Sequence, residues 1–574
     1  LAIVISALTP LITISVAVYL LVLGRLPVKS AVVLLFAVLG VALLTRQWGP
    51  ADGASRGRFL LAGAALLASL LVNGIVAARY FGGPVHSGLV VMLWCLSTLW
   101  VVSMSWVWGL PLPRRVRLGM LGATIPLATV FPTLFHIGQL QGDGRLLVQW
   151  RWNYQPATPP VAQIASSGAS AKSLTGTDYP GFLGRERSPV VHGWRLEKDW
   201  RANPPTLVWR QPVGAAWSSV AVSDPLAITQ AQEGREETVV AFDCWTGERR
   251  WRHADESYFD GNGAGGGPRA TPSIDGGQVF TIGASGILNC LDLDTGRRIW
   301  SRNILVDVNG SRPEHGVTGS PLVVGDLVVA VPGTSSGPSL AAYRRTDGKL
   351  IWTAGSRAPS YSSPMLRRSN GVAKVVLLDS GGLIFHDASD GRLLGSVDWG
   401  GNFGNRCCQP VFASNVDDRV IYLSSYECGG TTRLTIDDAS PPEAWRTRID
   451  WKSPVLKSKF TTPVLWNGCL MGIDQGLLVC LDAASGKRLW KGGRYGESQL
   501  LLVDDLLLVL SENGQLILVE PSRNQLVELA RIDVLHGKTW NAPALAHGRL
   551  YVRNAEEAAC YALPGKMATE TAAR

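Results

Sequence analysis

Along the first 137 residues apolar positions run almost unbroken, in five stretches at 1–24, 30–45, 59–78, 88–109 and 116–137. Most of these approach or exceed the ~20 residues that carry a helix across a bilayer, the second stretch being the shortest. The breaks between them are short and basic. Arg46, Arg56 and Arg58 share one loop and Arg114, Arg115 and Arg117 another, while Arg25, Lys29 and Arg79 fall in the alternate loops. With the first span starting inside, this bias follows the positive-inside rule and delivers the rest of the chain to the outer side. Trp94, Trp100, Trp106 and Trp108 gather in the fourth stretch, and the last of them suit an interfacial aromatic belt. The pattern predicts a multi-span α-helical membrane domain of about five transmembrane helices over residues 1–137. The first run is too long for a signal peptide and is followed by further spans, so it reads as an anchor.

The pattern changes after Gly138. Residues 138–177 read as a membrane-exit segment and a flexible linker, with a Pro/Ala/Ser/Thr tract from Pro156 to Thr177 that has little to bury. An ordered lead-in, DYPGFLGRERSP, follows, and from Pro204 short β-branched and leucine-rich runs alternate with Gly-Asp, Asn-Gly and Asp-Gly turns.

These runs repeat. Gly247 is followed by Trp251, Gly296 by Trp300, Gly348 by Trp352 and Gly486 by Trp490, four residues on in each case. Degenerate units lie around Gly391, before Trp445, around Asn524 and at Gly565, so that markers recur every 38 to 52 residues. Self-similarity at that period, built from short strands, predicts a β-propeller with four strands per unit. Eight units are countable; seven is the alternative, because the unit at Asn524 is the most degenerate. The last unit lacks an outer strand, and TLVWRQPV with Trp209 is an orphan outer strand at the start. Pairing the two would close the ring over 178–567, leaving 568–574 as a tail, and would remove free sheet edges. In each motif an Asp such as Asp243, Asp292 or Asp482 is placed to bond the turn, and the Trp offers an apolar face to a neighbouring blade.

Charge adds one point. The formal net charge is +9 and the pI about 9.1, but the excess belongs to loops between apolar runs, so no nucleic-acid partner is expected.

The pattern A-x-D-x-x-T-G-x-x-x-W, complete at Ala241, Asp243, Thr246, Gly247 and Trp251, resembles the tryptophan-docking motif of the pyrroloquinoline quinone (PQQ) repeat superfamily. The resemblance covers about residues 178–565. It implies an eight-bladed propeller and two kinds of activity: quinoprotein dehydrogenases holding PQQ and calcium at the channel mouth, or binding and scaffold propellers without a cofactor. Spans followed by a propeller look like membrane-bound quinoprotein glucose dehydrogenase, which makes a PQQ-dependent alcohol or sugar dehydrogenase feeding membrane quinone the rival reading. The placement expected is the bacterial cytoplasmic (inner) membrane, multi-pass, with the propeller on the periplasmic side.

Candidate chemistry lies where each innermost strand begins with a small-small-Pro signature, at Pro272, Pro321, Pro364, Pro410, Pro463 and Pro543. Three positions earlier stand Arg269, Thr318, Tyr361, Cys407, Phe460 and Trp540, with Trp217 at the matching point of the first unit and His315 nearby. These are expected to ring the channel mouth as a ligand or partner site. Cys407 and Cys408 resemble the adjacent-cysteine disulfide ring set against PQQ in quinoprotein alcohol dehydrogenases, with Asn402 and Asn405 close by as possible oxygen donors for calcium. Cys428 offers either cysteine another partner. No spacing reproduces a calcium loop, and the eight histidines form no ligand cluster. The preferred expectation is therefore a scaffold that meets the lipid bilayer through its spans and a protein, peptide or envelope component at the propeller face.

Overall fold

The computed structural model describes residues 177–568, apart from short stretches at 262–264, 334–336, 359, 370, 402–405, 415–418 and 438–444. Also described are Pro113 and the backbones of the strands Phe135–Leu140, Leu146–Trp150 and Gln163–Ile164. From Thr206 onward the chain winds into eight four-stranded antiparallel sheets arranged as propeller blades. Their innermost strands, in blade order, are Ala221–Ser223, Ser273–Asp275, Leu322–Val324, Met365–Ser369, Val411–Phe412, Val464–Trp466, Gln499–Val503 and Ala544–Ala546.

Two patterning rules build each blade. The strands sandwiched between neighbouring blades are apolar on both faces, as in Leu506–Leu510, which is buried throughout. The outermost strand is mostly exposed: Arg298–Asn303 buries only Trp300. That tryptophan crosses to the next blade. Trp251 covers Gly296, Trp300 covers Gly348, Trp352 covers Gly391 and Trp451 covers Gly486. The indole N–H of Trp300 donates to Arg345 O at 2.8 Å and that of Trp251 to Leu293 O at 2.8 Å. At Gly296, φ is +67° and a Cβ would collide with the Trp251 ring, so only glycine serves. The glycine and tryptophan of one motif thus mark the same blade without touching. Asp243 and Asp482 accept from the turn amides of Thr246 and Ser485 at 3.0 and 2.9 Å, which fixes the turn beneath the indole.

The ring closes through Trp209. The strand Thr206–Pro212 pairs with Glu557–Ala562, with Cys560 opposite Trp209, and completes the eighth blade. Trp209 then docks on Gly247 of the first blade and donates to Cys244 O at 3.0 Å. Gln163–Ile164 extends the same sheet beyond Trp209, so the Pro/Ala/Ser/Thr tract carries at least this ordered pair.

One junction runs backwards. Gly395 occupies the position where the fourth blade's docking tryptophan would stand, and Trp445, from the fifth blade, packs over it and edge-on to Phe385 with centroids 5.2 Å apart. The tryptophan that docks forward from the fifth blade is Trp451, not Trp445.

The lead-in plugs the channel from below. Tyr179 bridges to Val222 in the first blade, Pro180 O accepts from Ile274 N in the second at 2.8 Å, and Arg187 donates to Pro321 O in the third. Only three residues later Val190 pairs in parallel with Leu502 of the seventh blade. The third and seventh blades are diametrically opposed in a ring of eight, so residues 187–190 span the axis.

The expected two-part fold, helices and then a propeller, is corrected here. Among the described residues the fold is all-β with one four-residue helix, Ile304–Asp307, and no helix is long and apolar enough to cross a membrane. The five apolar stretches fall almost wholly outside the described residues. The end of the fifth is strand, in Phe135–Leu140, where aromatic and β-branched residues favour extended backbone.

Candidate functional site

Two rings of residues circle the channel on the side away from the plug. The lower one is a hydrogen-bonded belt. The residue just before each proline lends its side chain to the equivalent amide of the preceding blade: Ser219 N–H to Thr271 Oγ1 at 3.0 Å, Thr271 N–H to Ser320 Oγ at 2.9 Å, Ser320 N–H to Ser363 Oγ at 2.9 Å and Gln409 N–H to Thr462 Oγ1 at 3.0 Å. The Gln409 amide, oriented to satisfy both its ends, accepts from Ser363 N–H at 2.9 Å. Thr461 Oγ1 donates to Ser498 O, Gln499 Nε2 donates to Trp540 O at 2.9 Å, and Ser219 Oγ donates to Ala542 O. All eight blades are joined. Proline at the next position adds no amide donor needing a partner.

The upper ring is the mouth. Trp217, Arg269, Thr318, Tyr361, Cys407, Phe460 and Trp540 are all half-buried there, each two residues above the belt. The spacing places them together. Trp540 packs between Trp217 and Phe460, with centroids 5.0 and 4.8 Å away, and Lys538 Nζ sits 3.5 Å over the Trp540 ring. Across the ring His315 and Tyr361 are 5.4 Å apart, and Thr318 donates to Tyr361 O at 3.2 Å. Arg269 stacks on Phe259 at 4.5 Å and donates to Gly265 O at 2.6 Å.

Burial governs titration here. It lowers Arg269 to about 10 and Lys538 to about 8, raises Tyr361 and Cys407 to about 12, and lowers His315. His315 is therefore neutral at pH 7, while Arg269 and, largely, Lys538 stay cationic.

The eighth member of the mouth is Glu497, which the sequence pattern missed because the seventh blade has no proline at the marker position. Glu497 is buried and lies 3.6 Å from Lys459 Nζ, and its amide donates to Glu512 at 3.1 Å. Glu512 also accepts from the Trp540 indole N–H at 2.9 Å, so the aromatic half of the mouth rests on carboxylates.

Asn402 and Asn405 lie outside the described residues. Cys408 turns into the belt, its thiol donating to Thr461 O at 3.1 Å, and Arg406 Nε donates to Cys428 Sγ at 3.4 Å. Among the described residues neither the cysteine pair nor Cys428 is in a disulfide, and no group of three or more His, Cys, Asp or Glu is arranged for a metal.

The family described as "Outer membrane protein assembly factor BamB" matches residues 199–335 and 235–492, together just over half of the chain. The chain belongs to the PQQ-like β-propeller family. A BamB of Burkholderia pseudomallei is 24% identical over 265 residues, covering 43% of this chain and 61% of the relative, so the chain spans about three-fifths of that relative's length. Among solved structures, BamB from Moraxella catarrhalis aligns with TM-score 0.46 at 15% identity over 64% of this chain and 99% of that one. A quinohemoprotein alcohol dehydrogenase from Comamonas testosteroni aligns with TM-score 0.40 at 12% identity over 69% and 82% of the two chains.

The PQQ-like family membership comes with a correction. The curated relatives are named as outer membrane protein assembly factors, which overturns the expected placement as a multi-pass protein of the cytoplasmic membrane.

Proposed function

We propose that the propeller is a binding scaffold that takes a protein or peptide segment at its open mouth. The observation that carries this reading is the cluster Trp217–Trp540–Phe460 with Lys538 seated on it, at the rim of a channel stopped from the other end by residues 178–191. Half-buried aromatics beside cations are the residue types that dominate binding energy in protein interfaces. Tyr258, Val306 and Tyr426, on connections between strands at the same face, expose 57%, 70% and 42% of their surface, which widens the contact a partner would cover. The names of the curated relatives favour a protein component of the cell envelope as the partner.

The dehydrogenase reading fits the residues less well. PQQ is a flat, carboxylate-rich quinone that needs a parallel slot and cationic partners. The mouth aromatics close on one another with tilts of 33° and 37°, Arg269 is turned back onto loop carbonyls, and the Cys408 thiol is engaged in the belt.

The test is site-specific photo-crosslinking of the full chain in cells, with a benzophenone amino acid at Thr318 and, as control, at Ile351 on the outer edge. Discrete protein adducts at Thr318 that vanish on Trp217→Ala with Trp540→Ala are expected. Adducts from Ile351 alone would move the site to the blade edge. Stoichiometric uptake of PQQ with calcium, seen as quinone absorbance, would reinstate the dehydrogenase.

A further inference from the structure

The three least exposed arginines among the described residues are Arg553, Arg406 and Arg187, and the first two are saturated. Arg553, with no exposed surface, donates to Thr229 Oγ1 at 2.7 Å, Gln230 O at 2.5 Å, Gly214 O at 2.8 Å and Asn554 O at 3.0 Å. Arg406 donates to Asp379 O at 2.5 Å and Trp399 O at 2.7 Å. Arg187 is different. It is 4% exposed and Nη2 donates to Pro321 O, but Nη1 is buried with no partner.

A guanidinium cannot escape by losing its proton near neutrality. Burial alone acts on Arg187 and lowers it to about 9, which leaves it charged at pH 7, and no carboxylate offsets it. An uncompensated buried charge is among the costliest features a fold can carry. Its position is also imposed: Arg187 holds φ at +52°, a left-handed conformation that is unfavourable for a residue with a Cβ. Its backbone belongs to the plug that spans the axis, and the carbonyl it binds is one residue from belt member Ser320. A buried cationic N–H without a partner selects a small acceptor that carries negative charge.

We propose that Arg187 anchors an axial anion site, beneath the belt, that takes a chloride-sized monovalent anion and pins the 178–191 plug in the channel. The enclosure argues for a halide over a tetrahedral oxyanion, which needs more donors and more room. The site stands apart from the mouth, and its test does not depend on partner binding.

The full chain is melted in sodium gluconate and in sodium chloride at equal ionic strength. Chloride should raise the midpoint saturably, by roughly 2–4 °C for a site filled well above its dissociation constant, and Arg187→Gln should abolish the difference. Equal midpoints in the two salts, the same rise in Arg187→Gln, or a rise with phosphate and not with chloride would each overturn the assignment. Should Arg187→Gln fail to fold, crystals of the unaltered chain soaked in bromide decide: an anomalous peak beside Arg187 Nη1 supports the site, and water alone there refutes it.

Discussion

Where the second blade meets the third, Trp300 lies forward over Gly348; where the fourth meets the fifth, Trp445 reaches back over Gly395. Both junctions fill the same gap between outer strands with an indole facing a residue that has no Cβ. They differ in what else the glycine does. Gly348 sits in the motif's turn at φ +70°, so it is required twice, by backbone and by contact. Gly395 lies in the strand Leu393–Asp398 without a left-handed φ, so contact alone requires it. The comparison teaches that the packing unit of this propeller is the indole-filled gap. The local motif is one way to build it, and a blade that loses its tryptophan can borrow one from its neighbour.

The largest effect is expected from emptying the gap. Trp300→Ala should cost about 3–5 kcal/mol, read as a lower urea midpoint, and Trp445→Ala should cost a comparable amount if the reversed junction does the same task. A negligible loss for Trp445→Ala would show that the fourth and fifth blades are held by other means. Next come the glycines. In a Trp445→Ala background, Gly395→Ala should be almost neutral, whereas Gly348→Ala in Trp300→Ala should still cost about 1–2 kcal/mol from its backbone conformation. Equal residual costs would erase the distinction drawn above. Trp300→Phe keeps most of the apolar face and loses the bond to Arg345 O, so about 0.5–1.5 kcal/mol should go.

The smallest effect is one of pH. Asp292, Asp387 and Asp482 in the forward-docking turns are held below the ordinary aspartate value. The Thr295 hydroxyl does this for Asp292, the Ser389 hydroxyl for Asp387, and the Arg523 guanidinium chiefly for Asp482, which falls to about 2. A depressed carboxylate contributes stability above its unfolded value and loses it as pH falls through the folded one. The midpoint should therefore drop between the ordinary aspartate range and about pH 2, less steeply in Asp482→Asn. An unchanged slope in that variant would show that its turn does not report on acid unfolding.

Much of the mouth was legible because it follows a local rule. A proline that cannot donate marks the inner strand's start in six blades, and counting back from it finds six of the eight members, with Trp217 found at the matching point of the first unit. Glu497 escaped because its blade closes the belt through Gln499, without that proline. Lys538 and Phe259 escaped because their place over or under a ring member depends on loop paths, not on a period. At Cys407 and Cys408 the sequence suggested a pair acting together, but the backbone sends their side chains apart, one to the mouth and one into the belt.

The sequence by itself determined the repeat and its turn chemistry and marked the strand that closes the ring, since each depends on residues a few positions apart repeated at a regular interval; it left eight blades against seven open. Only the tertiary structure decided that Trp445 serves the blade before its own, that residues 178–191 cross the channel, and that Arg187 is left with an unmatched charge. Those outcomes depend on which distant surfaces meet once the ring has closed, and a ring of eight puts the third and seventh blades face to face although some 180 residues of chain separate them.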